Sequence, residues 1–219
     1  MKVVVVANGE WNSEWGKTEL SGFIDILICA DGGVNLVISS GRIPDVLIGD
    51  LDSVTEENIQ KCKVSNTIIK KYPREKDQTD LEIALEYAEM YLSLHGSRED
   101  EILLYGAGGG RVDHMLGNIS LMLGYAEKGR RVRMKDFRHD LWIVLPGIEI
   151  IKGKKGQEIS LVTLSEKANI VSKGLYYPLK GRTLYQNGFQ GISNVFIKDE
   201  AEIEIINGKV LLAVLTGKE

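Results

Sequence analysis

Two aspartates stand two residues apart where an apolar run gives out, in Pro44-Asp45-Val46-Leu47-Ile48-Gly49-Asp50-Leu51-Asp52-Ser53. In an extended strand, residues i and i+2 share a face with Cα atoms ~6.5–7 Å apart, so Asp50 and Asp52 can aim at one point. Two carboxylates about 5 Å apart, at an effective dielectric near 20, repel by roughly 3 kcal/mol, and the arrangement calls for a cation. Hard oxygen ligands suit Mg²⁺, which takes one or two carboxylates and fills its other positions with water and substrate phosphates. Gly49 leaves room for close approach by another group. The competing account is a solvated turn, because Asp and Ser are common turn residues.

A second acidic set follows in Asp77-Gln78-Thr79-Asp80. Thr79 and Glu82 have the spacing of a capping box, and Leu81, Ala84, Leu85, Ala88 and Leu92 then recur at helical period. Asp77 falls just outside this helix and Asp80 in its first turn, where the helix dipole alone favours an acid. If the sheet is parallel, the loops after its third and fourth strands open on one edge, where ligands of such sheets bind. Asp50, Asp52, Asp77 and Asp80 would then face one crevice.

Two glycine-rich junctions join strands to helices. Ala30-Asp31-Gly32-Gly33 allows backbone N–H groups to approach a phosphate, or makes a tight turn with Asp31 as a helix cap. It has neither the full GxGxxG spacing nor the Gly-Lys-[Ser/Thr] of a Walker loop. The stretch Gly106-Ala107-Gly108-Gly109-Gly110-Arg111-Val112-Asp113-His114 can wrap a triphosphate or a flat ring, with Arg111 pairing to phosphate oxygens or lying in solvent. His114 is as well explained by packing at a helix terminus as by catalysis. Near the other end, Ser193 and Asn194 can hydrogen-bond a heteroaromatic ligand or shape a turn.

The elements that must position these residues fall into two kinds. Strands are expected at residues 2–6, 24–30, 46–48, 67–72, 101–105 and 131–137, alternating with helices at 34–40, from Thr55, from Thr79 and at 115–127. The last helix is expected to bury Leu116, Ile119, Met122, Leu123 and Ala126. This is an α/β domain with a mostly parallel sheet. Beyond it no helical period appears. Short runs at 141–145, 158–164, 170–177, 195–198, 201–206 and 209–215 read as a small all-β sandwich, with Asn207-Gly208 predicting a type I′ hairpin. The residues around Tyr177-Pro178-Leu179 and Gly188 to Asn194 read as a loop too polar and glycine-rich for core. The domains are expected at 1–139 and 140–219.

Composition narrows the function. The net charge of −4 argues against a broad nucleic-acid surface, whereas a small polyanion held through a metal is compatible. No apolar run approaches the length of a membrane span, and the first residues lack a signal-peptide pattern, so the chain reads as cytoplasmic. Cys29 and Cys62 have no CxxC partner and read as buried thiols.

The order of the motifs Ala30-Asp31-Gly32-Gly33, Ile48-Gly49-Asp50-Leu51-Asp52-Ser53, Asp77-Gln78-Thr79-Asp80, Gly109-Gly110-Arg111-Val112-Asp113-His114 and Gly191-Ile192-Ser193-Asn194 resembles the thiamine pyrophosphokinase family over nearly the whole chain. That resemblance implies transfer of the terminal diphosphate of ATP to the hydroxyl of thiamine, giving thiamine diphosphate and AMP. It implies Asp50, Asp52 and Asp80 as Mg²⁺ carboxylates, with Asp77 and Asp31 near them. The segment with Gly109, Gly110, Arg111, Asp113 and His114 would then lie on the nucleotide side, together with Gly32 and Gly33. It further implies a homodimer in which Ser193 and Asn194 face thiamine from the other subunit. Family members often carry Asp-Gln-Asp where this chain has Glu75-Lys76-Asp77, and the C-terminal stacking tryptophan of the animal enzymes has no equivalent after Trp142. Rival readings are a diphosphokinase for another alcohol, such as hydroxymethylpterin, and a sensor that binds thiamine or nucleotide without turnover.

Overall fold

The computed structural model describes residues 1–217 and separates into two compact units, Met1–Phe137 and the residues from Arg138 onward. The first unit runs β1 (Val3–Val6), α1 (Ser13–Leu20), β2 (Ile26–Ala30), α2 (Gly33–Ser39), β3 (Val46–Gly49), α3 (Glu56–Val64), β4 (Ile68–Lys71), α4 (Asp80–His95), β5 (Ile102–Tyr105), α5 (Val112–Glu127) and β6 (Val132–Lys135). Its strands pair in parallel in the order β6-β5-β1-β2-β3-β4.

A four-valine strand is what such a sheet needs at its centre, because helices cover both faces. On one face Val4, Val6, Leu27, Cys29 and Leu47 pack with Leu20, Val34, Val37 and Cys62 from α1, α2 and α3. Strand alternation sends Val3, Val5, Ile28, Val46 and Ile48 to the other face. There α4 lies across β1, β2 and β3 and buries Leu81, Ala84, Leu85, Ala88 and Leu92. Both cysteines are free and buried.

The chain steps outward from β1 to β4, then returns through α4 to place β5 beside β1 on the opposite side. The strand order therefore reverses between β1 and β5. Ligands of open α/β sheets bind outside the carboxyl ends of the strands at such a point. Two helix starts are fixed by side-chain caps: Thr55 Oγ1 accepts from Asn58 N at 3.3 Å and Thr79 Oγ1 from Glu82 N at 3.2 Å.

Two expectations for this unit need correcting. Helix α5 begins at Val112 rather than 115, so Asp113 and His114 lie in its first turn and not in the glycine loop. Its apolar stripe is also less covered than its period suggests: Met122 and Ala126 are buried, but Leu116 is 61% exposed and Ile119 and Leu123 are only half-buried. Periodicity reports that a face is apolar, not that something covers it.

The second unit is all β: β7 (His139–Val144), β8 (Gly147–Lys152), β9 (Glu158–Thr163), β10 (Lys167–Lys173), β11 (Lys180–Tyr185), β12 (Asn194–Val195), β13 (Glu200–Asn207) and β14 (Val210–Leu215). These form two antiparallel layers, β12-β9-β14-β7 and β11-β10-β13-β8. Trp142, Ile159, Leu161 and Leu212 from one layer share a core with Ile170, Leu184, Ile203 and Ile205 from the other.

Asn207-Gly208 does not close a hairpin, contrary to its sequence signal. β13 pairs with β10 and β8 whereas β14 pairs with β9 and β7, so the turn carries the chain from one layer to the other. Gly208 sits at φ +92°, and a Cβ there would meet Ala168 Cβ and Lys167 O at 2.6 Å. The glycine is needed for a corner packed against β10. The loop reading of residues 177–179 and 188–194 is likewise corrected in part, since Leu179 and Asn194 are buried.

Candidate active site

Strand β3 ends at Gly49, so Asp50 and Asp52 do not converge by strand alternation as expected. They converge because Leu51 adopts φ +68°, a left-handed turn that bends the chain back on itself. Asp50 Oδ1 then accepts the backbone N–H of Asp52 at 3.1 Å. Leu51 is anchored against the core of the first unit, which holds this turn in place. From the side, Asn35 of α2 donates to Ser53 O at 2.9 Å and accepts from Asn58 Nδ2 at 2.8 Å.

Asp31 comes to the same spot from the end of β2. Its N–H donates to Ile48 O at 2.7 Å and its φ is +45°. Gly49, at φ +154°, lies so near that a Cβ there would stand 3.0 Å from Asp31 Cβ. One carboxylate oxygen from each of Asp31, Asp50 and Asp52 lies within 4.8 Å of the others. Asp31 is not the helix cap its position suggests. The cap residue of α2 is Gly32, and Asp31 Oδ1 is buried with no hydrogen-bond partner. A buried acceptor left open beside two further carboxylates fits a hard cation, and the donor set is oxygen throughout.

Asp80, in the first turn of α4, adds a fourth acid. Burial pushes its carboxyl upward, Lys76 opposes that push, and the charges of Asp31 and Asp50 add to it. Lys76 Nζ stands 3.0 Å from Asp80 Oδ1 as an ion pair, with both side chains largely enclosed. Arg74 Nε reaches Asp52 Oδ2 at 3.8 Å from a far more exposed position. Across these six side chains, Asp31, Asp50, Asp52, Asp80, Arg74 and Lys76, the formal charges sum to −2. Asp77 is exposed and stands outside the group of three. Sequence reasoning singles out neither Asn35 nor Arg74. For Asn35 the available signal was a lone polar residue within the apolar helix Val34-Asn35-Leu36-Val37-Ile38.

The glycine segment lies at the β1/β5 reversal. Gly9 N donates to Gly106 O at 2.6 Å and Glu10 N to Gly108 O at 3.0 Å, so the loops after β1 and β5 run backbone against backbone. A Cβ on Gly9 would collide with Gly106 O at 2.3 Å, and one on Gly109, at φ +105°, with Glu10 Cβ at 2.5 Å. These glycines are required by close packing, whereas Gly110 faces open space. Gly32 and Gly33 are equally confined, against Asn8 and Val6 O. Asn118 of α5 ties the segment down by donating to Ala107 O at 2.7 Å. Arg111 and Asp113 are exposed and form a two-pronged ion pair, which holds the Asp113 carboxyl at about 2. His114 is exposed one residue further on.

In the second unit, Ser193 sits at φ +53° and its N–H donates to Ser160 Oγ at 3.0 Å, leaving its side chain exposed. Asn194 is buried and both ends of its amide are hydrogen-bonded. Oδ1 accepts from Tyr177 N at 3.0 Å and Nδ2 donates to Tyr177 O at 2.8 Å. Asn194 therefore positions the Tyr176–Tyr177 loop, whose two exposed rings meet edge to face at 4.9 Å.

Comparison with known proteins accounts for both units. A model of the thiamin pyrophosphokinase catalytic domain matches residues 19–134, and one of the family's vitamin B1 binding domain matches 147–210. The chain is 29% identical to the thiamine pyrophosphokinase of Bacillus subtilis over 218 residues, covering 97% of this chain and 98% of that one. It is 27% identical to thiamine pyrophosphokinase 2 of Arabidopsis thaliana over 199 residues, covering 79% of this chain and 71% of that one. The crystal structure of the Bacillus subtilis protein superposes with a TM-score of 0.85 at 26% identity over the whole of both chains. The fold of the Candida albicans thiamin pyrophosphokinase superposes with the same TM-score at 17% identity, over 98% of this chain and 88% of that one. An α/β unit with an acidic crevice at its sheet edge, followed by a two-layered β unit, is thus matched along its length, and the chain belongs to the thiamin pyrophosphokinase family.

Proposed function

We propose that the protein transfers the terminal diphosphate of ATP to the hydroxyl of thiamine, yielding thiamine diphosphate and AMP. The observation that carries this reading is the meeting of Asp31, Asp50 and Asp52 at the carboxyl edge of the parallel sheet, with one buried oxygen of Asp31 left without a donor. Diphosphate transfer is mainly a matter of positioning and charge neutralisation. Asp31, Asp50 and Asp52 would hold Mg²⁺, with Asp80 beside them. When bound, the ion supplies charge neutralisation on the phosphate oxygens.

The residues of this chain supply the rest. Asp80 is the acid whose affinity for a proton is raised, which suits it to orient the thiamine hydroxyl or accept its proton. Asp77, exposed in the same loop, would meet substrate from the solvent side. The packed glycine loops after β1, β2 and β5 keep side chains away from the reversal point, so that a nucleotide can lie against backbone. Arg111, held by Asp113 with His114 adjacent, would pair with phosphate oxygens on that side.

The reading extends to a cytoplasmic homodimer in which the β unit of the partner brings Ser193, and the loop fixed by Asn194, to thiamine. No described helix is long and apolar enough to cross a membrane. The direct test follows AMP release from ATP with and without thiamine. Thiamine-dependent AMP together with thiamine diphosphate is expected. Equal release with hydroxymethylpterin would reassign the acceptor, and tight thiamine binding with no AMP would make the protein a sensor.

A further inference from the structure

We propose that Lys76 is a tethered counter-ion of the acidic crevice, occupying the charge that a divalent metal takes up and so keeping the metal weakly bound until nucleotide arrives. The inference rests on the metal reading of Asp31, Asp50 and Asp52 given above. Its basis is the placement of one ammonium group. Lys76 Nζ stands 3.0 Å from Asp80 Oδ1 and donates to Pro73 O at 3.1 Å.

Lys76 differs from an ordinary surface lysine. Its side chain is only 15% exposed, where that of Arg74, the other cation at the crevice, is 83% exposed. Enclosing an ammonium costs solvation, and that cost is offset here by its ion pair with Asp80. The Pro73 carbonyl holds the amine at the rim through a turn of the chain's own backbone. Release from Asp80 would therefore leave the ammonium close by, with donors free for a phosphate oxygen. A unit positive charge paired with an acid beside the metal-binding carboxylates opposes entry of a second cation, and its removal tightens metal binding.

The experiment measures Mn²⁺ binding to the full-length protein without nucleotide, by the loss of the free-ion electron paramagnetic resonance signal, in wild type, Lys76→Met and Lys76→Gln. Circular dichroism verifies that each is folded. Both variants are expected to bind Mn²⁺ at least about tenfold more tightly than wild type, the factor that removal of one nearby positive charge predicts. Structural damage alone would weaken binding instead. Unchanged or weaker Mn²⁺ binding in the folded variants overturns the proposal, as does absence of binding in all three proteins. The outcome does not depend on turnover. Failure of thiamine-dependent AMP release in wild type would remove the assigned reaction while this comparison still decides the role of Lys76.

Discussion

Gly49 and Asp31 approach so closely that a single added methyl on the glycine would stand 3.0 Å from Asp31 Cβ and 3.1 Å from Asp31 Cα. The loops after β2 and β3 are thus locked backbone to backbone at the point where their carboxylates meet. Gly49→Ala also forces an alanine to φ +154°, a region L-residues rarely adopt. It should destabilise the protein by about 1–3 kcal/mol and displace Asp31 from its neighbours. Urea denaturation reads the first effect. Thiamine-dependent AMP formation should fall at least about tenfold, the cost of a small misplacement in a preorganised site.

Asp50→Asn and Asp52→Asn separate charge from fold. Each removes one negative charge from a group held within 4.8 Å, so stability should be unchanged or raised while turnover drops by orders of magnitude. Thermal melts and steady-state rates on the same preparations measure both. Full turnover in either variant would remove that carboxylate from the site.

Asn194→Ala tests the positioning role found for the second unit. The substitution strips the Tyr177 N–H and C=O and the Val195 N–H of their partner. A loss of about 1–3 kcal/mol is expected from groups left without hydrogen bonds. Denaturant midpoints measure it. Ser193→Ala, on an exposed side chain, should leave stability unaltered.

The amino terminus gives a pH signature independent of the site. Asp100 accepts from the Met1 ammonium and from Ser97 N, which together hold its carboxyl at about 2, and the same contact raises the ammonium. The acid is depressed on folding, so its stabilisation is present above its ordinary value of 3.8 and is lost as pH falls toward about 2. The amine is raised on folding, so its stabilisation is present below its ordinary value of 8.0 and is lost as pH rises through the raised value. The melting-temperature difference between wild type and Asp100→Asn should be flat between these limits and shrink beyond both. A difference that is constant across the whole range would contradict the assignment.

The parallel sheet was legible in the sequence because unbroken runs such as Val3 to Val6 can only be buried on both faces, and Thr79 with Glu82 marked a helix start that the structure shows. The meeting of Asp50 with Asp52 was legible in outcome but not in cause. Strand spacing suggested it, whereas the left-handed Leu51 produces it, and no residue type announces such a turn at leucine. Local spacing read Asp31 as a cap, and only the family resemblance put it near the other acids, because local chemistry cannot reveal that β3 will lie against β2 and bring Gly49 to it. The Asn207-Gly208 signal was genuine for a tight corner but silent on which sheet the next strand joins. Lys76 stood in view as a departure from the Asp-Gln-Asp pattern, and only its distance to Asp80 gives it a role.

Anomalous diffraction from crystals grown with Mn²⁺, thiamine and a non-hydrolysable ATP analogue bears most directly on the acidic crevice. A manganese peak bounded by Asp31, Asp50 and Asp52 is the predicted result. A peak bound elsewhere, with those three carboxylates turned to solvent, would contradict the account.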